Sequence, residues 1–340
     1  MTSQPRKRPP TMSDIARLAG VSRTTVSFVL NNHVSSSSIP AETKDRVLEV
    51  AKRLSYRPNL AAKGLRTNRT HTIGFITDEI ATTPHAVKII KGAQDVALAH
   101  GKLLLIVNTG SDASVKETAI EMMLERQVEG IIYAAMYHQE VALPANMYEG
   151  FAVLIDCFCA DRSLPSVVPD EIQGGRTATE MLSQKGHRRI GFINNVDPIP
   201  ASFGRLEGYQ QALKAYDVPF DENLVRLHVS DSRGGYRGTL ELLQSREPPT
   251  AIFCFSDFMA MGAYDALRTL GLSIHGDVAV MGFDNQELIA AQLSPPLSTI
   301  QLPHYQMGKW AVEFLLEHTG ASLPPVQHTI DCPYIERQSV

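Results

Sequence analysis

From Thr72 onward the chain alternates short apolar runs with helical stretches, and few architectures accept that alternation. Candidate strands are Thr72–Ile76, Leu103–Val107, Gly130–Tyr133, Ala152–Ile155, Arg189–Ile193, Ala251–Phe255 and Val278–Gly282. Helical patterns lie between them, as at Pro84–His100, Gln173–Lys185, Phe203–Tyr216, Phe258–Leu270 and Tyr305–Glu317. Repeated βα units imply parallel sheets with helices on both faces. The strands are too many for one comfortable sheet, and the pattern restarts near Gly174. The expected α/β core, 71–340, is therefore two doubly wound parallel-sheet subdomains with a ligand cleft at the strand C-terminal ends. The first is expected over 71–168 and 299–326, the second over 169–298 and 327–340.

Charge divides the chain differently. Residues 1–66 hold twelve Lys/Arg against four Asp/Glu, which leaves 20 basic and 32 acidic residues for the rest of the 340. A basic head on an acidic body points to a polyanion partner met at one end. After a basic tail (1–10), TMSDIARLAGVSRTTVSFVLNN carries two short helices. Ser13 is the expected N-cap of the first, whose apolar face is Ile15, Ala16, Leu18 and Ala19. Gly20 suits a left-handed turn. Ser22 caps the second helix, with Val26, Val29 and Leu30 inward and Arg23, Thr24, Thr25, Ser27 and Phe28 outward. That outward set suits a major groove: Arg forks onto guanine, Thr reaches base edges, and hydroxyls hold phosphates. A third helix, Ala41–Leu54, buries Val47, Leu48, Val50, Ala51 and Leu54 and completes an all-α helix-turn-helix head over 11–58. Pro58 and Asn59 then open a short helix in a hinge over 59–70, marginal in isolation because it carries little apolar surface.

The series DIARLAGVSRTTVS, VLN, YRPN and LAAKGLRT resembles, at matching spacing, the DNA-binding head of the lactose-repressor (LacI/GalR) family. By that resemblance Arg23 and Thr24 begin the base-reading helix, and Thr11, Ser22, Thr25, Ser27 and Asn31 hold phosphates. Leu65 falls where family members wedge a leucine into a central minor-groove step, flanked by Asn59, Ala62 and Arg66. Phe28 departs from a commonly basic position and could pack on thymine methyls. The loop before the third helix is about three residues longer, with Ser35–Ser38 in it.

The resemblance runs on through EGIIY, KGHRRIGFI, RLEGYQQAL, DVAVMGFDN and SPPLSTI, and implies the bilobed, periplasmic-binding-protein-like sensor of that family. It implies effector contacts at Asp156, Arg205, Ser256 and Asp284, with His85 at a helix start where aromatic residues often stack on ligand. Each has a plainer alternative: Asp156 a solvated strand end, Arg205 a surface ion pair, Asp284 a helix cap. Asp257 reads as a helix cap, and Arg205→Ala as a change that spares the fold.

TIGFITDEIATTPH lacks a dinucleotide fingerprint, and the chain shows no P-loop, HExxH or G-x-S-x-G. Its eleven histidines show no ligand spacing, so no enzyme, metal or cofactor is expected. Cys157 and Cys159 read as structural thiols in a reducing cytoplasm. No apolar run is long enough for a membrane span and no signal-peptide core is seen. The expectation is a cytoplasmic, nucleoid-associated transcriptional repressor. It binds double-stranded pseudo-palindromic operator DNA as a homodimer, a dimer because no leucine heptads trail YIERQ. A small carbohydrate effector in the cleft controls operator affinity.

Overall fold

The computed structural model describes residues 8, 10–31, 37–57, 69–84, 86–110, 112–318 and 324–340. Two compact units make up the chain, 1–69 and 70–340.

The first unit packs α1 (Met12–Ala19), α2 (Arg23–Leu30) and α3 (Ala41–Arg53) around Ile15, Ala19, Val26, Val47 and Val50. Thr11, not Ser13, caps α1. Its hydroxyl accepts from Asp14 N–H while the Asp14 carboxylate accepts from Thr11 N–H, a capping box. Gly20 ends α1 at φ 67, the left-handed region where a Cβ would be strained. Two residues expected inward face solvent instead: Leu18 and Leu48 are 46% and 49% exposed. Helices of two and three turns have a narrow buried stripe, and these leucines fall on its margin. The expected hinge helix lies outside the described residues.

In the second unit the elements run β1 (Thr72–Thr77), α4 (Val87–Ala99), β2 (Leu103–Asn108), α5 (Ala113–Glu125), β3 (Ile131–Glu140), β4 (Ala152–Phe158) and β5 (Ser166–Pro169). They continue through α6 (Glu171–Gln184), β6 (Ile190–Asn195), α7 (Pro200–Ala215), β7 (Val225–His228), α8 (Ser232–Leu243), β8 (Ala251–Cys254), α9 (Asp257–Thr269) and β9 (Ala279–Asp284). Last come β10 (Ser298–Gln301), α10 (His304–Glu317), β11 (Gln327–Ile330) and β12 (Tyr334–Ile335). Two six-stranded sheets result among the described residues, ordered β11-β5-β4-β3-β1-β2 and β12-β10-β9-β8-β6-β7. Every pairing is parallel except β10 with β12 at an edge. Central strands such as β4 and β8 are buried throughout, as expected of parallel strands covered on both faces.

The division between lobes differs from the expected one. Ser298–Gln301 pairs with β9 and so belongs to the second sheet, whereas Gln327–Ile330 pairs with β5 in the first. The chain therefore crosses between lobes after Pro169, after Gln301 and after Ile330. At four residues each, β10 and β11 carry no periodic signal; their partners are decided by the sheets already in place.

Helices pair closely on each lobe, α4 with α10, α6 with α7 and α8 with α9. In the α6–α7 pair a Cβ on Gly175 would lie 2.4 Å from the Arg205 carbonyl oxygen. Only glycine permits that approach, and the approach is what brings Glu171 on α6 against Arg205 on α7.

Candidate functional site

Two sites emerge, one on each unit. On the head, Ser22 accepts from Thr25 N–H at 3.0 Å, and its hydroxyl lies 2.9 Å from the Thr25 hydroxyl. This cap starts α2 cleanly, so Arg23 and Thr24 stand exposed in its first turn, at the positive end of the helix. Thr25, Ser27, Phe28 and Asn31 are half-buried. Asn31 donates to the Ser27 carbonyl at 2.8 Å, and Arg46 donates from Nε to the Ala19 carbonyl at 2.9 Å, closing the end of α1. Asn59, Ala62, Leu65 and Arg66 lie outside the described residues.

Thr11 sits in the capping box. Its hydroxyl and amide donate to the Asp14 carboxylate, which is thereby pulled down to a pKa of about 2. Thr11→Ala is expected to cost the head about 1 kcal/mol through the lost cap, read as a lower thermal midpoint for the isolated head transition. An unchanged midpoint would show that the α1 start is held by packing alone.

The second site is a cavity of about 390 Å³ in the core, lined from the ends of β3, β4, β6, β8 and β9 and from α6 and α7. Asp156, Arg205, Ser256 and Asp284 all line it; His85 lies outside the described residues. Arg205 is not a surface ion pair, being 3% exposed. Its Nε donates to Glu171 Oε2 at 2.7 Å, Nη1 to the Phe255 carbonyl at 2.5 Å, and Nη2 to Glu171 Oε1 at 3.4 Å. The guanidinium is clamped between the rings of Phe255 and Phe283, 4.2 and 3.6 Å from their centroids. Asp284 Oδ1 lies 3.8 Å from Nη1. Burial works against the Arg205 charge, but the carboxylates of Glu171 and Asp284 outweigh it and hold the arginine ionised.

Asp156 is not a solvated strand end either. It is 3% exposed, its backbone takes a left-handed φ of 58, and its Oδ1 has no hydrogen-bond partner among the described residues. Burial, then the neighbouring Glu171, pushes its carboxyl well above the usual carboxylate range against the pull of Arg205. Asp284 ends β9 at φ 106 and accepts from Gln286 Nε2 at 2.9 Å; a turn, not a helix, follows it. Strained backbone at two acidic wall residues is the pattern expected where ligand geometry outranks local preference.

The helix after β8 is capped by Ser256, whose hydroxyl accepts from Met259 N–H at 3.3 Å and contacts Ser230 Oγ at 2.9 Å. Asp257, expected as that cap, is instead fully buried, accepting from Thr299 Oγ1 and Gln286 N–H, both at 2.7 Å. Through Gln286, which lines the cavity, it braces the wall from behind. Glu171, His138 and Asn195 also line the cavity without having been expected. Glu171 carried no signal in the sequence: a buried arginine demands a carboxylate, but the burial of Arg205 shows only once DEIQGG is seen to open the helix that packs against RLEGY.

A hydroxyl-rich ligand suits such a wall, because the carboxyl groups of Asp156 and Asp284 and the Ser256 hydroxyl offer acceptors and donors to pairs of OH groups. Among the described residues no helix is long and apolar enough to cross a membrane.

Residues 70–338 match the family model for periplasmic binding proteins and the sugar-binding domain of the LacI family, and residues 11–59 match that for bacterial regulatory proteins of the lacI family. The ribose operon repressor of Haemophilus influenzae is 33% identical over 310 residues, 90% of this chain and 91% of that protein. A solved complex of the transcriptional regulator CelR with cellobiose is 27% identical, with a TM-score of 0.68 over 97% of this chain and 100% of that one. The lac repressor dimer bound to operator and an anti-inducer is 25% identical, with a TM-score of 0.79 over 98% of this chain and 99% of that one. These relatives are transcriptional regulators rather than enzymes, and they share both the helix-turn-helix head and the two-lobed core. A DNA-reading head and an effector-binding core in one chain therefore have a single reading: the chain belongs to the lacI family of bacterial regulatory proteins.

Proposed function

We propose that the chain works in the cytoplasm as a homodimeric repressor of a pseudo-palindromic operator, with a carbohydrate or similar polyol seated between the core lobes. The observation that carries this reading is the cavity wall, where Asp156, Arg205, Ser256 and Asp284 converge from four different βα units. Relatives named for a sugar, the ribose operon repressor and the CelR–cellobiose complex, support the effector class. Arg23 and Thr24 read bases from the start of α2, while Ser22, Thr25, Ser27 and Asn31 orient the head on phosphates. Leu65, with Asn59, Ala62 and Arg66, is proposed to kink the operator from the minor groove. Effector binding acts by favouring one of two lobe arrangements, which requires different affinities for the two.

An exposed apolar edge supports the dimer. On edge strand β2, Leu103 is 60% exposed, and Leu105 and Ile106 also face solvent. An uncovered apolar strand edge is a pairing surface.

The test is operator selection from a random DNA pool by wild type and Thr24→Ala. A lost base-edge contact is worth about 1–3 kcal/mol of discrimination at one position, so the mutant motif should relax at one base pair in each half-site. The same motif at the same affinity would remove Thr24 from the reading set. Failure of wild type to enrich any palindrome would remove the repressor reading.

A further inference from the structure

Strand β3 leaves the register of β4 at one place. Ala134 pairs with Ile155 and Gln139 with Cys157, so residues 135–138 stand opposite Asp156 alone. Bulges of this kind re-aim side chains, and they gather beside binding sites. This one is pinned by Asp78, whose Oδ2 accepts from Met136 N–H at 3.1 Å. It carries Tyr137 and His138 onto the cavity wall next to Asp156.

Two polar atoms on that wall, Asp156 Oδ1 and His138 Nδ1, are buried with no hydrogen-bond partner among the described residues. The His138 ring is steadied edge-on against Phe158, centroids 5.7 Å apart, and the Arg162 guanidinium covers the Phe158 ring at 3.4 Å. Buried polar atoms are nearly always paired, and an unpaired one calls for a functional explanation. Here two of them share one wall.

The charge around them restricts what can complete the pair. Glu171, Asp197 and Asp284 line the same cavity as Asp156, and Arg205, the one arginine lining it among the described residues, is forked onto Glu171 with Asp284 3.8 Å away. Burial holds His138 towards its neutral form, with Glu171 pulling the other way. A neutral imidazole presents one donor and one acceptor, and a carboxyl group can serve in either role. Neighbouring hydroxyls, each donor and acceptor, complement that set; a phosphate or carboxylate would meet a wall where Glu171 and Asp284 share one guanidinium and Asp197 adds a further carboxylate.

We propose that His138 and Asp156 form a paired receptor for adjacent hydroxyls of the effector, and that the effector carries no phosphate or carboxylate. The inference rests on the cleft being the effector site. His138 thereby becomes a specificity-determining residue.

The full-length protein would be incubated with a small-molecule extract of bacterial cells and ultrafiltered, and the retained compounds identified by mass spectrometry. Wild type is expected to retain a polyhydroxylated compound free of phosphate and carboxylate. His138→Leu should lower its retention at least tenfold, while His138→Asn, whose amide stands near the Nδ1 position, keeps most of it. Should His138→Leu not fold, His138→Gln carries the comparison, since its amide lies further out and binding should be weaker than in His138→Asn. Val229→Trp, a bulky change at an exposed wall position, serves as the cleft block. A retained phosphate ester or acid, or undiminished retention by His138→Leu and His138→Gln, overturns the proposal. Loss in Val229→Trp but not in the His138 variants sinks the paired receptor alone; retention in every variant sinks the cleft as effector site, as does a wild type that retains nothing.

Discussion

Arg205→Ala is expected to destabilise the core by about 3–5 kcal/mol, the cost of breaking a buried ion pair by removing one partner. That is a large part of the 5–15 kcal/mol that holds a typical domain together, roughly speaking. The loss has three sources: the Glu171 carboxylate, 5% exposed, is left without its counter-charge; the Phe255 carbonyl loses its donor; and the slot between Phe255 and Phe283 empties. The structure therefore reverses the expectation that this substitution spares the fold. Chemical denaturation of the core measures it. Removing Glu171 as well should recover part of the loss, because the double variant buries no lone charge; groups in one network are not additive. A single variant within about 1 kcal/mol of wild type would mean that Glu171 finds water or a proton at little cost. Arg205→Lys keeps the charge but not the planar fork, and should fall between the two.

What the sequence could show follows from how local each determinant is. The head was legible because caps and turns are set within three or four residues: Ser22, Gly20 and the buried Val26 fall where expected, while Thr25, Ser27 and Phe28, expected outward, are half-buried. Thr11 displaced Ser13 as cap because either hydroxyl can start a helix, and only Thr11 lies three residues before Asp14, which closes the box. In the core, Asp156, Arg205, Ser256 and Asp284 were legible as motif positions, and the structure gathers them at one cavity. Their burial was not legible. Arg205 reads as a surface ion pair until α6 is known to pack against α7 through Gly175. His138 was invisible for a different reason: its place on the wall depends on a register slip between β3 and β4, which alternation along β3 does not encode. The same holds for β10 and β11, too short to declare a sheet.

Asp156→Asn is expected to raise core stability at alkaline pH while weakening effector retention. Asp156 has its folded-state pKa raised, chiefly by burial and then by Glu171, with Asp78 and Asp284 adding to the push and Arg205 opposing it. In the unfolded chain the carboxyl ionises near its usual value of about 4. Between these two values the folded state binds the proton and the unfolded state does not, so stability falls as pH rises. The contribution is whole below the unfolded pKa and is lost as pH climbs through the folded one. Asparagine has no proton to lose, so the variant escapes that decline. Wild type and variant should have similar thermal midpoints near pH 4 and diverge as pH rises, the variant ahead by about 1–2 kcal/mol, the usual size of a gain from relieving a functional site. Asp257 is also raised, first by burial and then by Asp284, and gives both proteins a slope of the same sign; the difference between them isolates Asp156. Parallel curves, or a variant less stable at pH 8, would mean that the protein's own groups already satisfy the Asp156 charge. A diverging pair, together with lost effector retention, would identify Asp156 as a carboxyl kept at the expense of stability because the ligand completes it.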